Sequence, residues 1–144
     1  MHAPVKLLAD SHPSANAMSA AGRFLLALIF VLAGIAKLGS VDATAAQMAS
    51  HGIPFAHVSV WGAITLELGG GLMLMTGLFA RFTALVLGFY TLALALIFHA
   101  YWAVPAAEVR AQHGAFFEHI AMIGGMLYVV AAGAGAYSLD ALML

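Results

Sequence analysis

Residues 58–79 read VSVWGAITLELGGGLMLMTGLF, an apolar run interrupted by one carboxylic acid, Glu67. A helix needs about 20 mostly apolar residues to cross a bilayer, and this run is long enough. At about 1.5 Å of rise per residue, Glu67 lies roughly 14 Å from Val58, close to the midplane. Insertion scales charge ~2.5–3.5 kcal/mol for Asp, Lys or Arg at a helix centre, so a mid-span Glu calls for a partner or a task. Gly69, Gly70 and Gly71 follow directly, and small residues of this kind let helices approach closely in lipid.

The rest of the chain is made of the same material. Its 144 residues are 64% hydrophobic and 8% charged, with a mean hydropathy of +1.01. A soluble domain of this size could not hide so much apolar surface behind so little charge, so the composition specifies an integral membrane protein. A net charge of −1 offers no basic stripe for phosphates, which excludes nucleic acid as a partner. Cysteine is absent, which removes disulfides, thiolate-bound zinc, iron–sulfur clusters and thiol redox chemistry. A redox role would have to be carried by a bound cofactor, a quinone or a partner chain.

Working outward, residues 1–19 are polar and broken by Pro4 and Pro13, which suits an N-terminal tail. Residues 20–38 form a first span, from Arg23 near its start to Lys37 near its end. A cleaved signal peptide is the competing reading, but the polar leader is long and Lys37 would directly follow the cut. Residues 39–57 form a connection with a short interfacial helix, in which Thr44 and Gln47 have capping-box spacing and Gly52 and Pro54 end the helix. Past the central run, Ala80-Arg81 is a tight turn that sends a third span, residues 82–103, back antiparallel. Residues 105–114 read as a polar loop, 115–134 as a fourth span, and 135–144 as a tail at the interface. The expected fold is therefore all-α, a membrane-embedded four-helix bundle with a short interfacial helix between spans one and two. Lys6, Arg23 and Arg81 lie on one side against Lys37 and Arg110 on the other, which favours cytoplasmic termini in a multi-pass inner-membrane protein. Trp61, Tyr101 and Trp102 form an aromatic belt at the opposite face.

The ionisable groups gather in the outer half. Lys37 closes span one, His99 lies near the outer end of span three, Glu118 and His119 lie near the start of span four, and Glu67 hangs below them. The expected intramembrane polar cluster is Glu67, Lys37, His99, Glu118 and His119. Gly34, Gly70, Gly71 and Gly125 recur on the same faces and are the expected helix-packing positions. Arg23 and Arg81 are inner-rim charges within snorkelling reach of lipid phosphates. Each residue also has a plainer reading. Glu67 would tie helices together, Lys37 would snorkel outward, and His99 would be an interfacial hydrogen-bonded ring. Glu118 and His119 are neighbours about 100° apart on a helix and poorly placed to grip one ion together. No Glu-x-x-His spacing supports a metal at Glu67, His99 and His119, so no metal is assigned. His2, His12, His51, His57 and His113 read as solvated loop residues.

The pattern as a whole resembles a known family. Arg23, Gly34-Ile35-Ala36-Lys37-Leu38, Gly52-Ile53-Pro54 and Glu67-Leu68-Gly69-Gly70-Gly71-Leu72 recur in order, followed by Gly77-Leu78-Phe79-Ala80-Arg81 and His99. Gly133-Ala134-Gly135 and Ser138-Leu139-Asp140 close the match, which is similar to the DoxX family of small bacterial membrane proteins. The departure is at span four, where the family usually has Lys-Asn and this chain has Glu118-His119. The resemblance implies a four-helix inner-membrane protein. Related subunits belong to thiosulfate:quinone oxidoreductase and to oxidoreductase complexes of thiol and oxidative-stress defence. Architecture follows from such a match more firmly than reaction does.

Three functional expectations follow. The first is a quinone-facing or non-catalytic subunit of a redox complex, with Glu67, Lys37 and His99 as a polar pocket. A soluble or membrane oxidoreductase would be its partner, and any enzymatic role would be that of an oxidoreductase subunit with no catalytic residue assigned. The second is a scaffold or assembly factor without redox chemistry. The third is a small-solute or proton carrier, which four short spans could support only as a homo-oligomer.

Overall fold

The computed structural model describes residues 12–144. Its helices are α1 (Pro13–Leu38), α2 (Val41–Ser50), α3 (Ala56–Thr76), α4 (Ala80–Phe98), α5 (Ala106–Ala132) and the short α6 (Leu139–Leu142), with a 3₁₀ turn at Tyr101–Ala103 between α4 and α5. Four of these elements, α1, α3, α4 with its 3₁₀ turn, and α5, are long and apolar enough to cross a membrane. The all-helical bundle with a short helix between its first two spans is as the sequence predicts.

The helix ends differ from the expected ones for local reasons. α1 starts at Pro13, a residue preorganised for the first helical turn and without an N–H to leave unsatisfied. Part of the expected tail is therefore helical, and residues 1–11 lie outside the described region. α5 starts at Ala106, so the stretch read as a polar loop is helix. Ala106, Ala107, Glu108, Arg110, Ala111 and Gln112 are strong helix formers, and their polarity reports solvation rather than conformation. α4 stops at Phe98 with His99 as its closing residue, and the 3₁₀ turn carries the span on to Ala103, so His99 lies near the span's outer end as expected.

α2 begins at Val41, so Thr44 lies within the helix and does not cap it. Ser40 occupies the cap position, but its hydroxyl donates to Ala36 O at 3.0 Å. Gly52 closes the segment at φ 78°, with Gly52 N–H on Ala49 O at 3.0 Å and Ile53 N–H on Met48 O at 3.1 Å. Ala45 and Met48 are buried against Val60, Ala63 and Ile64 of α3, so α2 lies against the bundle as well as along its rim.

Within the bundle, α1 packs chiefly on α3 and α5 chiefly on α4, while α1 and α5 touch little. The α1–α3 contact depends on glycine. A Cβ on Gly34 would stand 2.6 Å from Leu68 Cγ, and one on Gly71 would stand 2.9 Å from Val31 Cγ2 and 3.1 Å from Val31 N. Gly70 faces Leu87, and Gly125 faces Leu26 across the α1–α5 seam. Ala27, Phe30, Leu74, Ala84, Leu87 and Met126 form one core cluster, and Phe24, Leu32, Phe82, Phe89 and Leu127 are exposed. In a bilayer the exposed set faces acyl chains, where it carries no penalty.

Candidate intramembrane polar site

Glu67 is 2% exposed and its carboxylate joins three helices. Lys37 of α1 donates from Nζ to Oε1 at 3.0 Å, and Tyr90 of α4 donates its hydroxyl to the same oxygen at 2.7 Å. Oε2 also lies 3.0 Å from Nζ, yet no hydrogen bond reaches it. The Lys37 side chain is 23% exposed, so the pair has one wet end and one dry end. The close approach set by Gly34 and Gly71 brings α1 near enough to α3 for Lys37 to reach back over one turn. A carboxylate in hydrocarbon needs both a countercharge and hydrogen bonds, and the arrangement provides both for one oxygen.

The carboxylate borders a cavity of about 310 Å³. Ile29, Phe30 and Ala33 of α1 wall it, with Thr44, Gln47 and Met48 of α2 at its outer end, and Thr91, Leu94, Phe98, His99, His119 and Met122 on the far side. Ile29 is exposed and Met122 half-buried, so the cavity reaches the lipid-facing seam between α1 and α5, where those helices barely touch. Thr44 and Gln47, which the spacing suggested for a helix cap, belong to this lining instead.

Of the expected cluster, Glu67, Lys37, His99 and His119 come together around the cavity. Glu118 does not. It is exposed and absent from the lining, because the 100° step between neighbours that brings His119 inward turns Glu118 away. The His99 and His119 rings stand 4.6 Å apart, centre to centre. His99 Nδ1 lies 2.9 Å from Gln112 Oε1, and His119 Nδ1 lies 2.8 Å from Ala115 O. Among the described residues no three His, Asp or Glu side chains are grouped to hold a metal ion. Sequence reasoning missed Tyr90 and Gln112. A tyrosine in mid-span, away from either aromatic belt, is a signal in itself, because a buried phenol needs an acceptor.

Of the histidines read as solvated loop residues, His12, His51, His57 and His113 are exposed, but His57 lies on α3 and His113 on α5. His57 Nε2 pairs with Asp42 at 3.0 Å on the surface. The His51 ring packs 4.7 Å from Phe98, and His113 sits on α5 between Tyr101 and Phe117. His2 lies outside the described residues.

The inner end of the bundle holds a second polar assembly. Arg23 is 5% exposed and donates to Ala134 O and, at 2.7 Å, to Tyr137 O. It therefore grips the C-terminal segment rather than snorkelling to phosphates. Arg81 is exposed but also donates to protein, to Val130 O at 2.7 Å and Ala131 O at 2.8 Å, satisfying the last carbonyls of α5. Asp140 accepts from Phe79 N–H at 2.7 Å and Ala80 N–H at 2.8 Å, capping the start of α4. Ser138 Oγ accepts from Ala141 N–H at 3.2 Å and so caps α6. The residues after α5, read as a tail at the interface, are thus clasped to the turn between α3 and α4.

Residues 18–100 match the DoxX family profile, more than half the chain, and the matched region contains Lys37, Glu67, Tyr90 and His99. The chain belongs to the DoxX family. This DoxX chain is 32% identical over 118 residues to inner membrane protein YphA of Escherichia coli (strain K12), covering 82% of the chain and 84% of the relative. It is 32% identical over 121 residues to inner membrane protein YqjF of the same organism, covering 84% and 88% respectively. A Surfeit locus protein 4 homolog of Drosophila melanogaster is 28% identical over 144 residues, spanning 97% of the chain but 46% of that protein. No solved structure matches the chain significantly. With four candidate spans and relatives named for the inner membrane, this DoxX protein is a multi-pass inner-membrane protein in contact with the lipid bilayer. Its Glu118-His119 pair lies beyond the matched residues.

Proposed function

We propose that the chain is a quinone-facing membrane subunit of a redox complex, binding a polar head group beside Glu67 and handling its protons. One observation carries the reading: a buried carboxylate, ion-paired with Lys37 and hydrogen-bonded by Tyr90, borders a cavity of about 310 Å³. That volume is at the small end of the ~300–1,000 Å³ range of ligand pockets and suits a single ring. The exposed Ile29 in the cavity lining suits a molecule that arrives through the bilayer. With no cysteine in the chain, electrons would come from a bound cofactor, the quinone or a partner oxidoreductase.

Glu67→Gln tests this directly. The amide oxygen still accepts from Tyr90, but the carboxylate is gone. Quinone-linked activity in membranes that depend on this protein is expected to fall at least about tenfold, with normal insertion and abundance. Full activity in a normally inserted Glu67→Gln protein would remove the pocket from the account.

The scaffold reading rests on the same geometry, since Lys37, Glu67 and Tyr90 come from three helices and a structural tie needs no more. It predicts that Glu67→Gln disturbs abundance or partner assembly and leaves no ligand-linked defect of its own. The carrier reading is weaker, because four short spans would support transport only as a homo-oligomer, and a buried apolar cluster that includes Phe30, Leu74, Leu87 and Met126 fills part of the bundle.

A further inference from the structure

The clasp at the inner end leaves one cationic edge unused. Arg81 is exposed and commits only Nη1 to the carbonyls of Val130 and Ala131. Its Nε–H and the two N–H groups of Nη2 have no hydrogen-bond partner among the described residues, and the guanidinium forms no ion pair there. A Cβ on Gly133 would stand 3.2 Å from Nη2 and 3.3 Å from Nε, so glycine at φ 85° leaves room beside that edge. The guanidinium lines a cavity of about 550 Å³, whose wall includes the exposed side chains of Phe79, Phe82 and Met143. Asp140 lines it too, but its oxygens accept from Phe79 N–H and Ala80 N–H, and its charge acts on the buried Arg23. Arg81 is therefore the charge left for a visitor.

We propose that this cavity holds one anionic phospholipid from the leaflet at this end of the bundle, with its phosphate on the Nε–Nη2 edge of Arg81. Parallel N–H groups on a guanidinium match two phosphate oxygens, a fit that an ammonium does not reproduce. The depth agrees, because Arg81 follows the turn where α3 ends and α4 begins, at the boundary between hydrocarbon and head groups. Phe79, Phe82 and Met143 then meet the glycerol and the first acyl carbons, an apolar rim that suits a lipid better than a free phosphate. A zwitterionic head group gains less, since its ammonium finds Asp140 already hydrogen-bonded and facing Arg23. The site is independent of the outer cavity and of the function proposed for it.

The test is native mass spectrometry of the full chain, released from detergent micelles that hold equal amounts of dioleoyl phosphatidylglycerol and dioleoyl phosphatidylethanolamine. The parent is expected to retain one phosphatidylglycerol with a preference of about fivefold, the effect of one basic residue at an anionic surface. Arg81→Gln should erase the preference, while Arg110→Gln at the opposite end should leave it intact. Arg81→Lys keeps the charge and a donor for the α5 carbonyls but not the paired N–H edge, and should reduce the preference to about twofold. No preference in the parent, or an undiminished one in either Arg81 variant, overturns the site. An equal loss in Arg110→Gln would make the preference a general charge effect and overturn it as well. Displacement of the lipid by added inorganic phosphate would assign the edge to free phosphate and not to a lipid.

Discussion

Lys37→Met alone will destabilise the folded bundle by about 3 kcal/mol, and adding Glu67→Gln will restore most of that loss. The first change leaves a buried carboxylate with a single tyrosine hydroxyl for support, and an uncompensated buried charge is among the costliest single defects. The second change removes the charge, while the Gln oxygen still accepts from Tyr90. Because Lys37 is 23% exposed, the cost falls at the low end of the ~3–5 kcal/mol typical of broken buried pairs. A double-mutant cycle on unfolding in mixed micelles reads the coupling directly. Additive effects of the two substitutions would mean that the pair is not desolvated in the membrane.

Arg23→Met is the second large effect. The guanidinium holds the carbonyls of Ala134 and Tyr137, and through that segment it positions Asp140 over the first N–H groups of α4. Phe79 adopts a left-handed conformation at φ 45°, which costs a residue with a side chain about 1–2 kcal/mol and persists only while its surroundings hold it. Loss of Arg23 should release the clasp, with amide exchange at Phe79, Ala80 and residues 134–140 faster by roughly a hundredfold. Exchange in the outer half, around Glu67, should change little, since no hydrogen bond joins the two polar assemblies among the described residues. Unchanged protection at the inner end would show that apolar packing, not Arg23, holds the C-terminal segment.

Much of this architecture is legible in the chain because hydrocarbon leaves few alternatives. Four apolar runs of spanning length can only be helices, and Glu67 in the middle of one of them demands a cation, with Lys37 at reachable depth. The sharing of polar residues among helices was harder to read. Tyr90 resembles any span aromatic until its depth is matched to that of Glu67. Glu118 and His119 were both placed in the cluster, although adjacent helical residues cannot share one narrow face. The inner clasp could not be inferred at all, since it joins Arg23 to carbonyls more than a hundred residues away and backbone carbonyls leave no mark in a sequence. Residues 106–114 looked like a loop because they are polar, yet a helix that runs past the bilayer surface is polar too.

The central claim is that the outer cavity is a ligand site and not merely a tie between helices. Native mass spectrometry of the full chain taken from its own membranes tests this, comparing the parent with the Lys37→Met, Glu67→Gln double substitution, which is expected to keep the fold. A ring-bearing small molecule bound one to one in the parent and lost from the double variant is the predicted result. A parent without bound ligand, or a ligand retained equally by both proteins, would contradict it.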